Sequence, residues 1–154
     1  MKDIIVRIAT LQDLPVLLDF EQALINAERP FDVTIRPDPV SYYDIKAYIL
    51  DPEVEVVVAV HEDRVVSSGY ALKKKARSYL DHKLYAYLGF MYTVPEYRGM
   101  GINRKIVEKL MEWADKNDLK EVRLTVYNEN LPAIRAYEKA GFECHITEMR
   151  LRND

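Results

Sequence analysis

Two glycines one residue apart, Gly99 and Gly101, sit between a run of β-formers and a run of helical period, and that junction constrains the fold more than anything else in the chain. Upstream, Leu84 to Val94 is apolar and rich in strand-forming residues. Downstream, Ile102, Ile106, Val107, Leu110, Met111 and Ala114 recur at helical spacing. The turn between them reads Pro95-Glu96-Tyr97-Arg98-Gly99-Met100-Gly101-Ile102-Asn103. A strand that passes through Gly-x-Gly into a helix start leaves several amide N–H groups without partners, all pointing one way. The helix dipole adds about half a positive charge at the same spot. Such a turn is either an anion site made of backbone, suited to phosphate or pyrophosphate, or a strand–helix corner that simply needs glycine.

Around this junction the 154 residues read as one domain, 1–154, large enough for a core without disulfides. Ile4 to Ala9 is a short strand, and Thr10 or Asp13 caps a helix whose face is Leu14, Leu17, Leu18, Leu24 and Ile25. Ala27 to Val40 carries Pro30, Pro37 and Pro39 and reads as a loop, a candidate functional one. Ser41-x-x-Asp44 opens a second short helix through Leu50. Val54 to His61 and Val65 to Leu72 make a hairpin about the polar turn Glu62-Asp63-Arg64. Lys73, Lys74, Lys75 and Arg77 read as a solvated strand end. After the long helix, Asn117 suits a left-handed cap; Glu121 to Tyr127 is a strand, Leu131 to Ala140 a helix, and Phe142 to Leu151 a final strand. The predicted order is βααβββαβαβ, an α/β (α+β) fold with helices on both faces of a mixed sheet.

Composition narrows the function classes. A net charge of −3 favours neither nucleic acid nor an anionic membrane surface as partner. No apolar run approaches the ~20 residues of a membrane span. Met1-Lys2-Asp3 is not followed by a signal-like apolar region, and the lone Cys144 fits a reducing compartment, so a cytoplasmic location is expected.

A second constellation follows the strand Val122 to Val126. Asn130 falls at a helix N-cap, Pro132 in the first turn, and Asn130, Ala133 and Tyr137 share one helix face. A small residue between a polar cap and a phenol lets a ligand chain approach closely, although a lone tyrosine at such a position is more often a packing residue.

Together the two stretches resemble the GNAT superfamily of acyl-CoA-dependent N-acyltransferases. Arg98-Gly99-Met100-Gly101-Ile102-Asn103 resembles its motif R/Q-x-x-G-x-G/A, departing only at Asn103. Val126-x-x-x-Asn130-x-x-Ala133-x-x-x-Tyr137-x-x-x-Gly141-Phe142 is similar to its second motif, and Met91-Tyr92-Thr93-Val94-Pro95 to the end of its central strand. The resemblance implies a mostly antiparallel, twisted sheet of six to seven strands flanked by four helices. It also implies an acetyl-CoA cosubstrate without a metal, the amides of Gly99, Met100, Gly101, Ile102, Asn103 and Arg104 beside Arg98 on its pyrophosphate, and the backbone of Met91, Tyr92 and Thr93 along its pantetheine arm. Gly89 is compatible with a bulge that opens the sheet there.

The implied reaction is direct attack of a primary amine, on a small molecule or peptide, upon the thioester. Tyr137 matches the position of the general acid that protonates the leaving thiolate, and Asn130 that of a hydrogen-bonding group near the reacting end. The central strand carries no carboxylate, so a base would be water or an acid such as Glu28, Asp32 or Glu148. Phe31, Asp32, Arg36, Tyr42 and Tyr43 are candidates for the acceptor pocket, or else pack on the sheet edge. Many relatives continue into a further hairpin, so the site is expected to be open or completed by a second subunit in a homodimer. The alternative to an enzyme is a non-catalytic acyl-CoA sensing domain. A dinucleotide fold fails because Arg104 stands where its third glycine belongs.

Overall fold

The computed structural model describes residues 3–154; Met1 and Lys2, where the absence of a leader was read, lie outside the described residues. Strand β1 (Ile4–Ile8) is followed by helices α1 (Leu14–Glu28) and α2 (Ile45–Leu50). Strands β2 (Val54–His61), β3 (Arg64–Lys75) and β4 (Leu84–Thr93) come next. Helix α3 (Ile102–Lys116), strand β5 (Val122–Leu124) and helix α4 (Leu131–Lys139) complete the order. The strands form one five-stranded sheet in the order β1-β2-β3-β4-β5. Every pairing is antiparallel except β4 with β5, which is parallel.

Local chemistry accounts for the elements. Glu62 and Asp63 both take positive φ, 48° and 65°, making a turn whose twist matches that of the flanking strands. The Asp44 carboxylate accepts the Ala47 N–H (3.1 Å) and starts α2. On one sheet face Gly69 leaves room for α3: a Cβ there would lie 2.6 Å from Ile106 Cγ2 and 2.8 Å from Met91 Sδ. On the opposite face Tyr43 and Tyr48 meet Tyr70 edge-on, ring centroids 5.3 Å apart in each case, and Phe20 of α1 packs on Tyr92 at 4.9 Å. The core is therefore the β2–β3–β4 sheet between α3 and the α1–α2 pair, with Leu17, Val57, Val58, Leu88, Ile106 and Leu110 essentially inaccessible.

Three expectations are corrected. The final strand expected over Phe142–Leu151 does not form, so the sheet has five strands rather than six to seven. Ile146, Met149 and Leu151 are 76%, 90% and 82% exposed, and they fall on both parities of the segment. No single face would bury them, which is what specifies a strand's register. β5 is also shorter than expected, because β4 stays beside it only from Ala86 to Leu88. Finally, the left-handed residue after α3 is Asp118 (φ 56°), while Asn117 stays at φ −97° and donates from Nδ2 to the Trp113 carbonyl (2.8 Å).

Candidate active site

The parting of β4 from β5 opens the candidate site. Beyond Leu88 the register of β4 against β3 slips: Tyr70 faces Gly89, but Ser68 faces Tyr92, so β4 carries one extra residue. This is a β-bulge, and Phe90 within it holds φ at 57°, a conformation a bulky side chain adopts only when its surroundings impose it. Gly89 is required for a neighbouring reason, since a Cβ there would lie 2.5 Å from the Tyr70 ring.

Which way the peptides point follows from their partners on the β3 side. The Phe90 carbonyl accepts the Ser68 hydroxyl (2.9 Å), the Tyr92 carbonyl accepts the Ser67 hydroxyl (2.8 Å), and the Val94 N–H donates to Val66 O (2.9 Å). In a planar trans peptide the C=O and the next N–H point oppositely. The N–H groups of Met91 and Thr93 therefore face away from β3, into the gap where β5 no longer pairs. They form a short open strand edge, with free donors at the middle of the sheet.

The gap leads to the start of α3. Gly99 and Gly101 hold φ at 78° and 77°, and a Cβ at either would meet no protein atom within 4 Å, so both face open space. The first bond of α3 is Lys105 N–H to Gly101 O (3.3 Å), which leaves the amides of Ile102, Asn103 and Arg104 without acceptors inside the helix. Asn103 does not disturb this, since its contribution is backbone. Arg98 Nε donates to the Thr93 carbonyl (3.0 Å) and its guanidinium lies over the Tyr92 ring (5.7 Å), tying the turn to β4. The cleft so formed has a volume of about 420 Å³, and opposite the turn it is walled by Pro132, Arg135, Ala136 and Lys139 of α4. Arg135 and Lys139 were not read from the sequence. Their spacing of four on a helix already placed beside the site is the signal that would have found them.

Asn130 caps α4, its Oδ1 accepting the Ala133 N–H (3.4 Å), so its amide nitrogen remains as the donor. Tyr137 is half-buried, with its ring edge-on to Phe142 at 6.0 Å. Burial first, and then the nearby Glu28 carboxylate and Tyr87, push its phenol up to about 12, so it remains a proton donor throughout the neutral range.

The end of α1 and the loop after it carry the carboxylates of Glu28 and Asp32, and the charge of Glu28 reaches Tyr137. Burial raises Glu28 above the ordinary carboxylate range, opposed by the Tyr42 hydroxyl and reinforced by the Asp32 charge. Asp32 accepts the Tyr127 hydroxyl (2.7 Å), and Phe31 stacks on the Tyr127 ring at 6.2 Å. Of the other pocket candidates, Tyr43 is a packing residue against Tyr70 and Phe90, and Arg36 is exposed. Tyr42 buries its hydroxyl. Glu148 lies exposed in the terminal segment. A residue that sequence reading missed holds this loop. Glu21 is 2% exposed, and its Oε2 accepts the N–H groups of Tyr42 and Tyr43 at 2.8 Å each.

These features can be compared with known proteins. A profile of the acetyltransferase (GNAT) family matches residues 21–142. Thialysine N-epsilon-acetyltransferase of Mus musculus is 38% identical over 55 residues, 36% of this chain and 32% of that protein, so the match spans about a third of that relative's length. Two solved structures superpose over nearly the whole chain. A mutant of a Bacillus halodurans protein gives a TM-score of 0.84 at 21% identity, covering 97% of this chain and 99% of the other. A predicted acetyltransferase of Clostridium acetobutylicum, solved with acetyl-CoA, gives 0.74 at 18% identity, covering 97% and 96%. At that identity the likeness speaks to the fold, and the profile match over most of the chain speaks to descent. The chain belongs to the acetyltransferase (GNAT) family.

Proposed function

We propose that the chain transfers an acetyl group from acetyl-CoA to a primary amine by direct attack. The observation that carries this reading is the continuous line of free backbone donors from the β4 edge to the start of α3. Its two halves fit the two halves of the cosubstrate. The amides of Gly99 to Arg104, with positive-φ glycines facing open space and cations on α4 opposite, suit a pyrophosphate. The edge of Met91, Tyr92 and Thr93 suits an amide-bearing arm that pairs as a strand would. Hydrogen bonds to charged oxygens contribute roughly 1.5–3 kcal/mol each, so three or four of them reach micromolar affinity.

The chain's own groups then divide the chemistry. An alkylamine arrives as an ammonium ion and must lose a proton before it attacks; Glu28, raised by burial, is a better-matched base than an ordinary carboxylate. The Met91 N–H faces the place where charge develops on the thioester oxygen. Tyr137 delivers the proton to the departing sulfur, and Asn130 holds the cosubstrate's reacting end from its free amide nitrogen. The acceptor enters over the end of α1, between Glu28, Asp32 and the rings of Tyr42 and Tyr127. That acid and aromatic lining suits a cationic small molecule, or a peptide amine. A similar choice of substrate is suggested by the relative that acetylates thialysine. Among the described residues no helix is long and apolar enough to cross a membrane.

The test is an amine-panel assay read by thiol release from acetyl-CoA. Turnover with at least one alkylamine supports the reading. CoA binding with no turnover across the panel would replace it with the sensing alternative.

A further inference from the structure

Two serines in the middle of the sheet are out of place by composition. Ser67 and Ser68 are fully inaccessible (0%) in a strand whose neighbours are Val66, Tyr70 and Ala71. A buried hydroxyl is costly unless it is hydrogen-bonded. Both are bonded, and neither to the ladder of its own strand. Ser68 donates to the Phe90 carbonyl at 2.9 Å, and Ser67 meets the Tyr92 carbonyl and the Thr93 hydroxyl at 2.8 Å each. These carbonyls flank the extra residue of the bulge. A bulge breaks the ladder locally, so a carbonyl within it loses the strand partner that would otherwise fix its direction. The Ser68 hydroxyl stands in for that partner at Phe90, whose φ of 57° would otherwise relax.

We propose that Ser68 is a positioning residue for acetyl transfer: by holding the Phe90 carbonyl on the β3 side, it aims the Met91 N–H at the thioester oxygen. Ser67 does the same two peptides further on, aiming the Thr93 N–H at the pantetheine arm. The inference rests on the acetyl-CoA reading above. In the step concerned, the amine nitrogen bonds to the carbonyl carbon and the C=O π pair moves onto oxygen, where the Met91 N–H meets it. The pair then returns as the C–S bond breaks, the cationic nitrogen of the adduct gives up its surplus proton to solvent, and the thiolate takes one from Tyr137. A donor that exists but is not held in direction gives up part of its value. Removing such a donor outright costs about 10²–10³ in kcat, so misaiming it is expected to cost about 10–100-fold.

The two serines make different predictions, which separates aiming from folding. Ser68→Ala should lower kcat about 10–100-fold while CoA, which lacks the acetyl carbonyl, binds within about threefold of the parent. Ser67→Ala should instead weaken CoA itself, because the Thr93 N–H faces the arm rather than the carbonyl. Ser68→Thr, which keeps the hydroxyl and suits a strand, should recover most of the rate. A readout independent of any acceptor uses a ketone analogue of acetyl-CoA with a methylene in place of sulfur. Its carbonyl stretch should shift to lower frequency on binding the parent, and less on binding Ser68→Ala. Equal kcat and equal carbonyl shift in Ser68→Ala would overturn the proposal, as would a parallel loss of CoA affinity. If Ser68→Ala does not fold, the carbonyl shift in Ser68→Thr decides, a shift like the parent's supporting the proposal and its loss overturning it. If the parent itself binds no CoA, the acetyl-CoA reading fails, and that result is distinct from every outcome above.

Discussion

Gly101 meets a backbone demand and, in the proposed cosubstrate site, a functional one. Its φ of 77° is a conformation that L side chains rarely adopt, and the space its Cβ would enter holds no protein atom. A valine there would therefore cost strain of order 1–3 kcal/mol and fill the mouth of the anion cradle. Gly101→Val is expected to weaken CoA binding at least 100-fold by calorimetry, whereas helix α3, whose apolar face points elsewhere, stays formed. Undiminished CoA affinity in a folded variant would move the anion site away from this turn. In the proposed reaction the pair Glu28 and Tyr137 would set the pH dependence. Glu28 is raised, so it is protonated and inactive as a base at low pH, and kcat/KM should climb through an apparent pKa above that of an ordinary carboxylate. Glu28→Gln should remove that limb and lower the plateau. Tyr137, at about 12, keeps its proton far above neutrality and adds no descending limb below pH 10. Tyr137→Phe should lower kcat about 100-fold at every accessible pH, with CoA affinity unchanged, because only the phenolic proton is lost. A matched loss of affinity would make Tyr137 a binding residue.

At the scale of elements, β1 is joined to the start of α1 by one clamp. Arg7 reaches Asp13 with both terminal nitrogens, Nη1 to Oδ2 at 2.8 Å and Nη2 to Oδ1 at 2.9 Å, and the Thr10 N–H adds a third bond to Oδ2 at 2.8 Å. The Arg7 hydrogen bond first, and the Thr10 N–H after burial's opposing effect, hold the Asp13 carboxyl below the ordinary range. A carboxyl so depressed contributes stability above its unfolded pKa and loses it as pH falls through the folded one. Asp13→Asn should therefore cost about 1–3 kcal/mol at pH 7, or about 2–10 °C in Tm, and almost nothing once the parent carboxyl is protonated. A pH-independent Tm difference would assign the clamp no charge. Elements like these were legible in the sequence because their causes are local: helical period in α3, proline and asparagine at the head of α4, and the Gly-x-Gly turn. The final strand was misread because alternation and β-formers describe a strand's own residues and not whether an edge awaits it. Glu21, Ser67 and Ser68 were not legible for the same reason. Glu21 follows the polar Asp19 and precedes Gln22, the two serines stand together in β3, and the partner of each lies 20 or more positions away.

At the scale of the molecule, the net charge of −3 hides a local excess of the opposite sign. Arg98, Arg104, Arg135 and Lys139 all line the cleft at the start of α3, so a highly anionic ligand meets a positive mouth on an acidic protein. Such focusing raises the association rate and is screened by salt. CoA should therefore stabilise the fold in a way that depends on ionic strength. A ligand bound only by the folded chain adds about 2.7 kcal/mol at 100 times its Kd. For a domain of this size that corresponds to about 5–10 °C in Tm. Raising the salt from about 0.05 M to 0.5 M shortens the screening length severalfold and should shrink the shift at fixed CoA concentration, while the unliganded Tm serves as the control. The backbone amides are neutral donors that remain when side chains are cut away. A double variant, Arg135→Ala with Lys139→Ala, should thus keep a measurable shift but lose part of its salt dependence. Differential scanning fluorimetry across a salt series, with and without millimolar CoA, reads both quantities. A shift that ignores salt would leave binding to the amides alone, and no shift at any salt would remove CoA from the site altogether.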